Sequence, residues 1–386
     1  MRHFLRLMFF GGLGVLVSSS ARGGEYVQTN IVSDLPGVAL NQDTNLVNPW
    51  GMSFSSTSPF WVSNQGSGTA TLYNPLASPV KQGLTVTIPT ARIGPPTGPT
   101  GQVFNSTTSD FMIPAPGGTT VKSTFLFDTL DGTIQGWNPG SNAGLHAAEP
   151  LVTANAVFTG LTLASSGGAN YLYAANAAGS IMVYDKTFNN VTSTTFAGKF
   201  VDPNPVAGFT PYNIQRLSDD NIYVTYAAAT STGAPLPGGY VDEYGPAGNF
   251  IRRIATGGPI NAPWGLAIAP SNFGTFSGDL LIGNLYDSKI DAYNLGPAVP
   301  QFEGSITVNT GFASPVGLWA LAFGNGVTGD MDTLYFTAGI NDQKDGLFGS
   351  ISFVPEPSSG LLLILGGLIV GACQAARHRL KTRETT

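Results

Sequence analysis

The sequence predicts an all-β chain, a six-bladed β-propeller, on three observations. A two-strand unit with a polar turn and a closing aromatic recurs at six stations. The 386 residues include 50 Gly and 27 Pro, and only 10% are charged, against about 25% in an ordinary soluble domain. A further strand, Tyr26 to Val32, stands ahead of the six units and is free to fasten the ring.

The repeating unit is read from its turns. Unit one runs Phe60 to Asn64, a Gly-containing turn, then Thr69 to Tyr73. Unit two runs Phe125 to Asp128 and Thr133 to Trp137, and unit three Tyr171 to Asn176 and Ser180 to Tyr184. Unit five runs Leu280 to Asn284 and Lys289 to Tyr293. Units four (Asn221 to Tyr226, Tyr240 to Tyr244) and six (Thr333 to Ala338, Ser350 to Phe353) carry insertions in the turn. The closing aromatics Tyr73, Trp137, Tyr184, Tyr244, Tyr293 and Phe353 span 280 residues in five steps, a mean period of 56. Alternating apolar and polar residues give the strand period. A four-stranded unit of roughly 40–50 residues is a propeller blade. A pair of β-sandwiches would not place the same turn and aromatic at six stations. Closure through the early strand protects an edge that would otherwise invite pairing with other chains.

An innermost-strand signature precedes some units. Asn48-Pro49-Trp50-Gly51 recurs as Ala262-Pro263-Trp264-Gly265, with a weaker copy at Ser314-Pro315-Val316-Gly317-Leu318.

The two ends read as addresses. Arg2 and Arg6 precede an apolar run, Leu7 to Val17, of 11 residues, and Ala21 and Gly23 are small. This is the pattern of a signal peptide, residues 1–23. Residues 24–354 form the body. In residues 355–386, Pro355-Glu356-Pro357 leads into an uncharged run, Gly360 to Ala376, followed by Arg377, Arg379, Lys381 and Arg383. That run reaches the lower limit for a bilayer span, and its basic tail belongs on the cytoplasmic side. These three parts resemble the PEP-CTERM sorting signal of Gram-negative bacteria. The resemblance implies recognition by an exosortase, with Pro355, Glu356, Pro357, Arg377 and Arg379 as its functional residues, and release to the cell surface or exopolysaccharide matrix. A permanent single-span anchor is the alternative. The leader holds three of the 17 basic residues, and the tail holds four basic and two of the 23 acidic ones. The body therefore keeps 10 basic and 21 acidic residues, a net of −11. Such a body repels nucleic acid. The only cysteine, Cys373, lies in the C-terminal apolar run, so no disulfide holds the body.

Along the body, Asn45-Leu46-Val47-Asn48-Pro49-Trp50-Gly51, Phe60 to Asn64, and Thr337 to Asp342 with Asp345 to Gly349 resemble a family of exported bacterial proteins of unknown function, similar to NHL-type propellers. The resemblance implies fold and export and carries no activity.

Little catalytic chemistry is available. Of three histidines only His146 lies in the body, in an apparent loop between blades two and three. No body cysteine exists to act as nucleophile or zinc ligand. In outline the chain is similar to gluconolactonase-like propellers, which hold a divalent metal in the channel with Asn, Asp and Glu. The matching stations here read Trp50, Trp264 and Val316, and only Asn213 keeps a polar group. Trp50, Asn213 and Trp264 are thus the candidate channel face, and a tryptophan face there suits stacking or packing better than metal ligation. Asn64, Asp128, Asn176 and Asn284 share one station and read as turn initiators that bond their own backbone, or else as a ring of oxygen ligands. Asn341, Asp342 and Asp345, with the Gly346 turn, are the candidate calcium ligands, since Ca²⁺ takes six to eight oxygens. No other cofactor is expected. The expected function is a non-catalytic surface or matrix propeller associated with exopolysaccharide or another exported protein. The alternatives are a metal-dependent hydrolase or lactonase working in the channel, and a plain structural spacer.

Overall fold

The computed structural model describes residues 24–91, 97–229, 235–312 and 317–356. One compact unit runs Tyr26–Phe353. The expected leader, most of the expected sorting signal (Pro357, Arg377 and Arg379 included) and Val316 lie outside the described residues. Among those described, no helix is long and apolar enough to cross a membrane.

The chain opens with β1 (Gly24–Ser33) and the short β2 (Asn41–Gln42). Blade one is β3 (Pro49–Ser53), β4 (Phe60–Asn64), β5 (Thr69–Tyr73) and β6 (Lys81–Thr87). Blade two begins at β7 (Pro99–Phe104). After an inserted hairpin, β8 (Met112–Ala115) with β9 (Thr119–Lys122), it continues through β10 (Phe125–Thr129), β11 (Thr133–Trp137) and β12 (Glu149–Thr153). Blade three is β13 (Phe158–Ser166), β14 (Ala169–Asn176) and β15 (Ser180–Tyr184). Blade four is β16 (Thr210–Arg216), β17 (Ile222–Ala229), β18 (Pro235–Tyr244) and β19 (Phe250–Thr256). Blade five is β20 (Pro263–Ile268), β21 (Leu280–Asn284), β22 (Lys289–Asn294) and β23 (Gln301–Thr307). Blade six is β24 (Gly317–Phe323), β25 (Thr333–Ile340) and β26 (Asp345–Pro355), with β1 as its fourth strand and the short β2 pairing parallel to β1 beyond it. The ring thus closes as the early strand required, and all six blades stand where the repeat placed them.

Three expectations need correction. Blade three has three strands, not four. Residues 185–209 cover its outer edge instead, with Val191 donating to the Val183 carbonyl at 2.8 Å and Phe196 and Phe200 packing on Tyr173. The extra residues in blades four and six lengthen the hairpins rather than loop out. Pairing continues to Ala229↔Pro235 and to Ile340↔Asp345, because strand backbone pairs its own polar groups where a loop must find partners. His146 lies within blade two, between β11 and β12, and its carbonyl accepts from Thr87 of blade one at 2.8 Å.

The buried core separates into clusters between consecutive blades and one on the axis. Between blades one and two, Trp61 stacks on Phe125 with centroids 4.3 Å apart. Between blades six and one, Phe60 and Tyr73 pack against Tyr335 and Phe348. The repeated aromatics are therefore the wedges that fill the gap between neighbouring sheets. Tyr26 of β1 adds a second bolt. Its hydroxyl donates to the Phe273 carbonyl at 2.8 Å and accepts from the Phe276 amide at 3.0 Å, tying β1 to blade five.

Candidate functional site

The innermost strands β3, β7, β13, β16, β20 and β24 surround the axis. Each breaks register with its second strand at one station, between Pro49 and Met52, between Phe158 and Gly160, between Pro211 and Asn213, between Pro263 and Leu266, and between Leu318 and Leu321, with the matching irregularity of blade two at Phe127/Thr129 opposite β7. A bulge bends the strand and leaves a residue unpaired. The residues at the station are Trp50, Thr100, Thr159, Tyr212, Trp264 and Trp319, all buried. The sequence alignment put Val316 at the sixth station. The structure puts Trp319 there, because the pairing Leu318↔Ala338 sets the register of β24. No Pro-Trp-Gly string marks that strand, so the sequence does not show that Trp319 belongs to the axis.

These side chains close the axis. Trp50 and Trp319 stack with centroids 3.6 Å apart and an interplanar angle of 19°. Trp264 meets both edge-on, at 6.2 and 5.8 Å, and Tyr212 lies 6.1 Å from Trp50 and from Trp319. Leu130, Ala227, Ala262, Leu285 and Ala320 complete the buried cluster. Each edge-to-face or offset pair adds about 0.5–1.5 kcal/mol beyond area burial.

Bulging leaves station carbonyls without a partner in their own blade, and other blades supply the donors, from next door or across the axis. Thr337 Oγ1 donates to the Trp50 carbonyl at 2.8 Å, Asn213 Nδ2 to the Trp264 carbonyl at 2.7 Å, and Trp264 Nε1 to the Thr159 carbonyl at 2.9 Å. Trp319 Nε1 donates to Asn48 Oδ1 at 3.1 Å. Asn213, the polar member of the candidate channel face, also accepts from the Ile214 amide at 2.8 Å. It is a buried strut between blades four and five. Trp50 Nε1 and Tyr212 Oη are buried and lack a partner among the described residues.

The station shared by Asn64, Asp128, Asn176 and Asn284 is not merely a turn starter. All four are buried. Asn64 donates to Thr71 Oγ1 at 2.9 Å and Asn284 to Asp291 Oδ2 at 2.7 Å, each reaching the third strand of its own blade. Asn176 alone bonds its own turn, accepting from the Ala178 amide at 3.1 Å while also taking the Val157 amide at 3.1 Å. Asp128 accepts from Thr100 Oγ1 at 2.7 Å and from the Gly101 amide at 2.6 Å. Burial pushes its carboxyl up to about 7. These side chains tie strands of their blades together, while Asn64 Oδ1 and Asp128 Oδ2 are buried without a partner among the described residues.

The candidate calcium residues lie in the turn between β25 and β26. Asn341 donates to Asp345 Oδ2 at 2.7 Å, while exposed Asp342 faces Lys344 at 3.6 Å. Among the described residues no group of three or more His, Cys, Asp or Glu is gathered to hold a metal ion. Asp345 also neighbours Asp34 of the chain start. Burial, opposed by the Gly346 amide and reinforced by the Asp345 charge, pushes Asp34 up to about 6.

Toward the C-terminal ends of the inner strands, the axis opens into a cavity of about 150 Å³ that all six strands line. Trp264 and Leu321 are among its apolar walls, and Ser53, Thr162, Gln215 and Arg216 supply polar groups.

The chain is 30% identical over 339 residues to the uncharacterized protein R648 of Acanthamoeba polyphaga mimivirus, across 83% of this chain and 78% of that protein. It belongs to that family. A second mimivirus protein, uncharacterized protein L690, is 26% identical over 343 residues, across 83% of this chain and 84% of its own. No family model matches the chain. Among solved structures, the soluble aldose sugar dehydrogenase of Escherichia coli superposes with a TM-score of 0.52 at 11% identity, covering 85% of this chain and 99% of that one. A glucose dehydrogenase gives 0.53 at 11% identity, covering 84% and 99%. At such identity the likeness shows the propeller fold alone.

Two outcomes are expected. Trp319→Ala removes the stacked partner of Trp50 and lowers the unfolding free energy by about 3–5 kcal/mol, the range for large-to-small aromatic truncation, read by denaturant titration. Asp128 carries a folded pKa above its unfolded value, so its stabilising contribution is complete below the unfolded value and disappears as pH rises through about 7. The melting temperature therefore falls between about pH 4 and about pH 7 and levels off above that, and Asp128→Asn, which keeps an acceptor for Thr100 and Gly101 without the charge, flattens that slope.

Proposed function

We propose that this protein is a non-catalytic propeller of the cell surface or extracellular matrix, associated with exopolysaccharide and delivered there through its C-terminal signal. The observation that carries the reading is the filled axis. In the gluconolactonase-like arrangement the channel needs converging oxygens, whereas here Trp50, Tyr212, Trp264 and Trp319 stack upon one another at the corresponding stations. The nearby polar groups Asn213 and Thr337 join blades, and Asp128 Oδ1 ties two strands of blade two. A ring built this way is a rigid body that acts through its surfaces. Its low charge and abundance of amide and hydroxyl side chains suit hydrated polymers recognised by hydrogen bonding better than nucleic acid.

Delivery rests on the sequence of the two ends. The signal peptide 1–23, Pro355-Glu356-Pro357, the apolar run and Arg377 and Arg379 support recognition by exosortase-type machinery after a single-pass membrane stage. The mimivirus relatives are themselves uncharacterized and add no address.

Fractionation of a producing, exosortase-bearing cell tests both halves. The expected result is a chain shortened near Pro357 in the matrix fraction, sedimenting with purified exopolysaccharide. An intact chain held in the membrane, or a processed chain that stays in the supernatant beside the polymer, contradicts the proposal.

A further inference from the structure

We infer that the cavity at the C-terminal ends of the inner strands is a binding site for one sugar ring bearing a carboxylate, a glycuronate unit of a polysaccharide. The inference rests on the polysaccharide reading above and gives it a location and a ligand class.

The cavity's position follows from the ring. All six inner strands contribute to it, so it lies on the axis. At about 150 Å³ it is small, below the roughly 300–1,000 Å³ of sites for drug-sized molecules, and suits a single ring rather than a chain segment lying flat. Its walls include Trp264 and Leu321, both buried. An indole presents a broad apolar surface of the kind that packs against the C–H face of a pyranose.

The polar groups are of two kinds. Ser53 Oγ is buried without a partner, and the Gln215 amide makes no side-chain hydrogen bond among the described residues. Thr162 Oγ1 accepts from the Arg216 amide at 3.0 Å and keeps its proton available to donate. Two hydroxyls and an amide with open valences match the alternating donors and acceptors of ring hydroxyls. A buried polar group without a partner costs free energy, which a ligand hydroxyl would remove.

Arg216 selects the ring's charge. It is the one charged residue of the lining. Its present partner, Asp220, lies on the same short turn with its side chain 74% exposed, against 40% for Arg216. An exposed pair of this kind is worth little. It can therefore be exchanged for a ligand carboxylate that takes the guanidinium in a two-pronged contact. The rest of the lining holds no acid to repel such a ligand.

The test uses the full chain, with free glucuronate and free glucose as probes and indole fluorescence as the readout, alongside sedimentation with exopolysaccharide. Glucuronate is expected to change the emission saturably and to bind about tenfold more tightly than glucose, the scale of one charge-assisted contact. Arg216→Gln should bring glucuronate to the glucose value without moving the melting temperature. Gln215→Ala should weaken both sugars alike, as loss of a hydroxyl contact requires. No saturable response to either sugar, or a glucuronate preference that survives Arg216→Gln, overturns the inference. If the chain still sediments with the polymer in that event, the matrix reading stands and only the site is wrong. If it does not, both fall.

Discussion

Six strands converging on one axis approach so closely that ordinary side chains cannot all point inward. A Cβ built on Gly51 would overlap the Thr100 carbonyl oxygen, and one built on Gly265 would overlap that of Trp319. The chain meets this constraint by following each station tryptophan with a small residue, in Trp50-Gly51, Trp264-Gly265 and Trp319-Ala320, and by bulging every inner strand at the same level. Bulging turns the station side chain toward the axis and strands its carbonyl. The aromatic cluster and the cross-blade donors Asn213, Thr337 and Trp264 are the two consequences. Packing and hydrogen bonding at the axis are thus one solution to one geometric problem.

The same economy governs the periphery. With no disulfide in the body and few charges, cohesion falls to aromatic wedges between blades and to a handful of buried polar ties. Arg253 is the densest of these. It joins Asp242 and Asp202 and covers the Tyr240 ring at 4.0 Å, pinning the segment that replaces the missing outer strand of blade three to blade four. Asp43, held below the usual carboxylate range by Lys81, the Asn45 amide and Tyr73 against the cost of its burial, does the same for the segment between β2 and β3.

The blade hairpins were readable because each carries a local code, an alternating strand, a Gly or Asx turn and a second strand ending in an aromatic. Phe60 to Tyr73 and Leu280 to Tyr293 need no knowledge of the rest of the chain. The fastening strand was readable because an odd strand at one end of a repeat has few places to go. The axis was only half readable. Trp50 and Trp264 announce themselves through Pro-Trp-Gly, but Trp319 sits among alanines and leucines, and only strand register brings it to the same level. The missing fourth strand of blade three was hidden because residues 185–209 hold as many apolar groups as a strand would. The roles of Asn64, Asp128, Asn176 and Asn284 depend on which strand end lies opposite, a long-range fact that their turn-like surroundings conceal. The cavity at the far end of the axis draws between one and four residues from each of six strands far apart in the sequence, and no shared motif marks them.

The account stands on an axis sealed by its aromatic cluster. Hydrogen exchange of the indole N–H groups, followed by NMR on tryptophan-labelled protein, probes this directly. Trp264 and Trp319 are buried and bonded to the Thr159 carbonyl and to Asn48, so their indole protons should exchange only with global unfolding, as slowly as the amides of the most protected strands. Exchange of either proton while those amides remain protected would show water reaching the axis in the folded state, and would contradict a sealed, non-catalytic channel.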